Sequence, residues 1–214
     1  MLSQAHPTEG LSQTIRRRVL KFQLPAHEAP TLATHIGGYV PAFRYEDGPL
    51  ATRVTSLYLD SDGLELYGQS SRAPDQAGLI RLRWYSWPAG SPVFLELKHR
   101  SAETGLGVKQ RYVLPAGAAA GFRGTEGELE SVALHVRSQA GPAIEEFLDQ
   151  CHTPLRVAAL RPKLYVRYRR QSFQEDSDAD VRVTLDSHVI MAAAHDWASR
   201  AQRRAHRFPA AILE

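Results

Sequence analysis

An α+β fold with a dominant antiparallel sheet is predicted by three features of this 214-residue chain. Short β-branched or alternating runs recur with Gly, Pro, Ser or Ala between them. Two stretches of helical patterning are interleaved with those runs. Several runs also place Arg or Lys at every second position, the period of one face of a sheet.

Residues 1–14 are polar and read as a disordered N-terminal segment, leaving 15–214 as a single domain. The run RRRVLKFQL (16–24) predicts a first strand, and 25–38 a helix stopped by Gly37-Gly38. ATRVTSLYLD (51–60) alternates and is β-branched, hence a strand. Strands follow at 79–87, 92–100 and 107–114. Residues 126–151 carry a helical pattern that Gly141-Pro142 should divide into two helices. Further strands are expected at 164–173 and 181–186, separated by an acidic turn. Residues 191–208, rich in Ala and Arg, read as a helix or a mobile loop, and 210–214 as a last strand.

Bulk composition narrows the class. Apolar residues at 43% and charged residues at 23% are ordinary globular values, and the formal net charge is only +3. One cysteine, Cys151, excludes an internal disulfide framework and fits a reducing compartment. No stretch approaches the roughly 18 apolar residues of a membrane span, and Met1 to Gly10 show no signal-peptide pattern. The chain is expected to be soluble and cytoplasmic. Only Lys21, Lys98, Lys109 and Lys163 are lysines; the other basic residues are arginine, whose planar fork matches phosphate oxygens.

Strand parity shows where these cations gather. Arg81, Arg83 and Tyr85 share one face, and Ile80, Leu82 and Trp84 the other. Glu96, Lys98 and Arg100 oppose Leu95 and Leu97; Lys109 and Arg111 oppose Val108 and Tyr112. Arg182, Thr184 and Asp186 oppose Val181, Val183 and Leu185, and Lys21 and Gln23 oppose Leu20, Phe22 and Leu24. A polar sheet face normally looks at water with mixed charge, because like charges across strands repel. Here cations far outnumber the carboxylates Glu96 and Asp186, an arrangement that is favourable around an anion.

The ordered set resembles the VTC domain of the triphosphate tunnel (CYTH-like) superfamily. The matching pieces are Lys21-Phe22, Ser56-Leu57-Tyr58-Leu59-Asp60, Arg81-Leu82-Arg83-Trp84-Tyr85, Leu95-Glu96-Leu97-Lys98 and Lys109-Gln110-Arg111. Tyr168-Arg169-Arg170-Gln171-Ser172-Phe173-Gln174, Arg182-Val183-Thr184-Leu185-Asp186 and Ile212-Leu213-Glu214 complete it. The resemblance implies a closed antiparallel eight-stranded β-barrel with flanking helices, its tunnel holding polyphosphate or a nucleoside triphosphate. It implies a catalytic group of Lys21, Arg81, Arg83 and Lys98, with Lys109, Arg111, Tyr168, Arg170 and Arg182 binding phosphate. Glu214 and Glu96 would hold Mn²⁺ or Mg²⁺. Parity is less regular near Tyr168 and Arg170, where Leu164 and Val166 fall on the same side, so a bulge or register change is expected.

Two departures bear on activity. Hydrolytic relatives carry glutamates two and four residues before the first-strand lysine, where this chain has Val19 and Arg17. Family members also continue past the position of Glu214 to another lysine and a helix, so the chain reads as truncated there. The implied activity is transfer of the γ-phosphate of a nucleoside triphosphate to a polyphosphate chain; a metal-dependent triphosphatase and a non-catalytic polyphosphate sensor are the alternatives. No nucleic-acid partner is expected. Gly105-Leu106-Gly107-Val108-Lys109 reads as a hairpin turn rather than a phosphate loop, and Cys151 as a buried small hydrophobe.

Overall fold

The computed structural model describes residues 13–44, 48–74, 77–86, 92–100, 104–114, 126–175, 181–198 and 205–214. Its strands are β1 (Gln13–Arg17), β2 (Phe22–Pro25), β3 (Ala42–Phe43), β4 (Ala51–Asp60), β5 (Gly78–Tyr85), β6 (Phe94–Arg100) and β7 (Gly107–Val113). They continue with β8 (Arg161–Phe173), β9 (Val183–Ala193), β10 (His206–Arg207) and β11 (Ala210–Leu213). The helices are α1 (Ala29–Gly37), α2 (Glu65–Arg72), α3 (Glu126–Gln150) and α4 (Ala194–Ala198). Of the segment expected to be disordered, only Gln13 and Thr14 are described, in β1.

All described strand pairs are antiparallel, in the order β1-β7-β6-β5-β4-β8-β9-β11-β2, with β3 on β8 and β10 on β9. The expected closed eight-stranded barrel is corrected on both counts: this sheet has 11 strands, and its hydrogen-bonded path is open between β1 and β2. Both open ends belong to one stretch of chain. Arg17 makes the last β1 pair, with Gly107, and Phe22 the first β2 pair, with Leu213. Arg17 and Phe22 are separated by at most about 18 Å of extended backbone, so the sheet curls until its two edges face each other across residues 18–21.

Packing on the outside of the curl fixes which residues point in. Leu57, Leu59, Ile80, Leu82, Leu95, Leu97 and Tyr165 are buried against Val136, Ala140, Ile144, Phe147 and Leu148 of α3. A smaller core joins Phe173, Leu185 and Ala211 to Ala29, Leu32 and Ile36 of α1. The alternate residues of the same strands therefore face the hollow. Gly78 lets β5 approach the end of α3: a Cβ there would stand 2.8 Å from Cys151 Sγ. Burial pushes the Cys151 thiol up to about 12, which leaves it an inert core group.

Two local expectations change. α3 runs unbroken through Pro142, because its buried stripe from Val136 to Leu148 holds both sides of the proline on the sheet. The first strand is two strands, with 18–21 between them. The region 191–208 begins with the end of β9, holds the short helix α4 and ends in β10, and 199–204 lie outside the described residues. The glycine-lysine segment behaves as a turn: Gly105 has φ +65° and Leu106 N–H donates to Thr104 Oγ1 at 3.3 Å. The expected register change occurs between Arg167 and Arg169, where β9 carries an extra residue and His188 takes a positive φ of 54°. It shifts parity in β9: Thr184 and Asp186 face inward before it, and Val189 and Met191 join Tyr168 after it.

Asp60 explains its place at the end of β4. Its Oδ1 accepts from the N–H groups of Ser61 (2.8 Å) and Leu66 (3.0 Å), and its Oδ2 from Tyr67 (3.0 Å). It thus supplies acceptors to the unpaired donors at the start of α2. Asp60→Ala is expected to cost about 1–3 kcal/mol in denaturant unfolding while leaving tripolyphosphate affinity unchanged; a loss of affinity would place Asp60 in the site.

A candidate polyanion site on the inner face

β5, β6 and β7 stand side by side, so Arg81 pairs across the ladder with Glu96, and Glu96 with Arg111. Lys98 pairs with Lys109 one step along. Glu96 is completely buried and forms the hub. Its Oε2 accepts from Arg81 Nε (2.9 Å) and Nη2 (2.7 Å), and its Oε1 from Arg111 Nε (3.1 Å) and Nη2 (2.7 Å). Arg83 Nη1 and Lys109 Nζ each stand 3.7 Å from a Glu96 oxygen. Burial alone would raise the Glu96 pKa, but Arg81, Arg83, Arg111 and Lys109 hold it well below the usual carboxylate range. With two hydrogen bonds on each oxygen its lone pairs are taken. In this arrangement Glu96 organises the surrounding cations.

The other side of each arginine is held by hydroxyls. Arg81 Nη1 donates to Tyr58 Oη at 3.1 Å, and Arg83 donates to Ser56 Oγ (3.2 Å) and Tyr168 Oη (2.9 Å). Arg111 Nη2 reaches Tyr85 Oη at 3.4 Å. Such fixed guanidinium groups need no reordering to meet an anion. Ser56 and Tyr58 are additions to the expected set; their alternation with Leu57 and Leu59 in β4 was the available signal.

Tyr168 joins this cluster to a second one. The Arg83 guanidinium lies 6.0 Å from its ring centroid and that of Arg170 lies 5.3 Å from it. Arg170 grips Asp186 through two 2.6 Å hydrogen bonds and stands 3.5 Å from Glu214 Oε2. Glu214 is placed by two backbone hydrogen bonds with Thr184, at 2.7 and 2.9 Å. Burial opposes its ionisation, yet Arg170, Lys21, Lys98 and Arg81 draw its pKa below the ordinary value. Arg182 stacks on Phe43 at 5.2 Å and donates through Nη2 to Ser172 Oγ at 3.2 Å. Its Nε and the hydroxyl of Thr184 are buried without a hydrogen-bond partner among the described residues.

Most of the expected residues are thus brought to one face. Lys21 is different: it lies in the break between β1 and β2 and is exposed, although its charge reaches Glu214. Arg100 is exposed at the end of β6. Among the described residues, no group of three His, Cys, Asp or Glu side chains could hold a metal ion.

A curled antiparallel sheet with an inward cationic wall defines a tunnel-fold protein, and solved structures agree. The fold is similar to a candidate adenylate cyclase from Bacillus halodurans (TM-score 0.54, 13% identity, 91% of this chain and 78% of that one). It is also similar to the Hippeastrum protein HpAC1, a candidate adenylyl cyclase described as having a dominant triphosphatase activity (TM-score 0.50, 12% identity, 91% and 76%). The family model of the VTC domain matches residues 16–214, and the chain belongs to that family. Subunit 4 of the vacuolar transporter chaperone complex is 28% identical in Schizosaccharomyces pombe over 90% of this chain, and 25% identical in Trypanosoma brucei over 95%. Subunit 2 of the S. pombe complex is 24% identical over 87% of the chain. The chain spans only 28%, 30% and 27% of these relatives. No helix among the described residues is long and apolar enough to cross a membrane.

Proposed function

We propose that this domain is a polyphosphate polymerase-like phosphotransferase, passing the γ-phosphate of a nucleoside triphosphate to a polyphosphate chain held along the inner wall. The observation that carries it is the continuous cationic row, from Lys109 and Arg111 through Arg81 and Arg83 to Arg170 and Arg182, pinned by Glu96 and Asp186. Phosphoryl transfer asks mainly for alignment and charge neutralisation, which fixed guanidinium groups supply. The unspent donors of Arg182 and Thr184 suit phosphate oxygens. An acceptor phosphate arrives ionised and needs no base.

Mn²⁺ or Mg²⁺ is commonly held by one or two carboxylates together with substrate phosphates. Glu214, 29% exposed at its side chain, fits as such a carboxylate, whereas Asp186 is engaged by Arg170. A metal bound there would neutralise charge building on the transferred phosphoryl group. Lys21 is then assigned to the same end of the wall as Glu214. Assembly into a multisubunit complex belongs to the same reading, by analogy with the longer relatives, which are subunits of a vacuolar complex.

Binding is tested by thermal shift. Tripolyphosphate at 100-fold over Kd should stabilise the protein by about 2.7 kcal/mol, and Arg81→Ala should remove most of that gain; an undiminished shift would overturn the inner-wall assignment. Turnover is tested with ATP and Mn²⁺ on gels that resolve polyphosphate. Chain growth is expected with little phosphate release, because the glutamates of hydrolytic relatives are replaced by Arg17 and Val19. Fast metal-dependent phosphate release, lost in Lys21→Ala, would make the protein a triphosphatase. Binding with neither product would make it a sensor.

A further inference from the structure

Arg53 of β4 and Arg169 of β8 are direct cross-strand partners, and Thr55 pairs with Arg167 one step along that face. The intervening pair, Val54 and Tyr168, is buried and faces inward, where the Tyr168 hydroxyl meets Arg83. Arg53, Arg167 and Arg169 therefore stand on the opposite, outer surface of the wall. Arg53 and Arg169 are exposed. Neither makes a side-chain ion pair among the described residues. Among the described residues, the α3 core reaches this face at Leu57, Tyr165 and Trp84, the last paired with the buried Thr55, and the α1 core lies at Phe173 and Leu185, so Arg53 and Arg169 are the exposed arginines between the two. Like charges directly across a ladder repel one another. A shared anion would offset that repulsion.

We propose that Arg53, Arg167 and Arg169 form a second polyphosphate-binding track on the outer wall, separate from the inner site. This rests on the polyphosphate reading given above. The chemistry selects a chain of phosphates over other polyanions. Among the described residues, the aromatic beside them on this face, Trp84, is packed edge-on against Tyr165 at 6.1 Å and belongs to the helix-covered core, so it gives no stacking platform for bases. The apolar neighbours on this face, Ile190 across from Arg167 and Trp84 across from Thr55, are half-buried, so among the described residues neither stands out to enter a lipid surface. Arg169 and Arg53 stand beside Arg170 and Thr52 on the same strands, level with the Arg170–Asp186 pair inside. A long chain can thus be held by both surfaces of one wall, whereas tripolyphosphate can occupy only one of them.

The test compares tripolyphosphate and long-chain polyphosphate on wild type and R53S/R169S, by calorimetric titration at two salt concentrations. The double variant is expected to bind tripolyphosphate within about twofold of wild type and long-chain polyphosphate about five- to tenfold more weakly, with a shallower salt dependence. R53K/R169K should restore most of the loss. Unchanged long-chain affinity in R53S/R169S overturns the outer track and leaves the inner site standing. Equal loss of both ligands with a lowered melting temperature also overturns it, as damage to the wall. Loss of RNA or anionic-vesicle binding without loss of polyphosphate binding overturns the assigned class. Wild type that binds neither phosphate ligand defeats the inner-site reading along with this one.

Discussion

Glu96→Gln is expected to lower the stability of the ligand-free protein by about 3–5 kcal/mol and to make folding depend on an added polyanion. Glu96 is completely buried, and Arg81, Arg83, Lys109 and Arg111 surround its two oxygens. Glutamine preserves the shape and removes the one charge that offsets four cations. Its amide nitrogen would also turn N–H donors toward guanidinium N–H donors. Acid should not reproduce the substitution in the folded state, because these cations keep the carboxyl ionised. A carboxylate with a depressed folded pKa contributes stability above its unfolded value, about 4.3, and loses that contribution progressively as pH falls below it. The melting temperature of Glu96→Gln should recover substantially with tripolyphosphate and only weakly with an equal ionic strength of chloride. A variant that melts with wild type in the absence of ligand would remove Glu96 as the hub.

That hub shows what strand parity makes legible. The alternation in 79–87, 92–100 and 107–114 put Arg81, Arg83, Glu96, Lys98, Lys109 and Arg111 on one face, and the ladders place them there. Alternation is a local property, set by the two-residue repeat of the pleat. The role of Glu96 was not local: its partners lie on neighbouring strands, and only their register shows four hydrogen bonds converging on one carboxylate. Nor does Arg18-Val19-Leu20-Lys21 contain a residue that breaks strands. The interruption arises because β7 ends its pairing at Arg17 while β11 begins at Phe22, a tertiary demand on a β-prone sequence. Pro142 erred in the other direction. A strong local helix breaker was outweighed by a buried stripe on both sides of it. The uneven parity of 164–170 announced a register change near Tyr168, but not that the extra residue would lie in the neighbouring β9 and shift the parity there.

The lysines of the inner wall give the last expectation: ligand binding takes up protons. Lys98 and Lys109 face each other across β6 and β7. Burial, then Arg81, Arg83 and Lys109, lower Lys98 to about 6, with Glu96 opposing the shift. Burial, then Arg111, Arg17 and Arg83, lower Lys109 to about 7, again against Glu96. At pH 8 both amines are largely neutral in the ligand-free protein. A phosphate chain laid between them favours their charged forms and raises both pKa values, so binding should absorb about one to two protons. Affinity should accordingly fall as pH rises above 7 and strengthen toward pH 6. Stability of the ligand-free protein moves the opposite way. Between the lowered folded pKa and the ordinary value near 10.4 the unfolded chain binds more protons, so these two lysines add stability as pH rises through that window. Lys98→Met keeps the volume without the cation. It should raise the ligand-free stability at pH 7 by about 1–3 kcal/mol and reduce proton uptake by about one. Calorimetric titration at pH 8 in two buffers of different ionisation enthalpy reads the uptake directly, and subtracting the variant removes titration of the ligand itself. Equal uptake in wild type and Lys98→Met would show that Lys98 is already charged before the anion arrives.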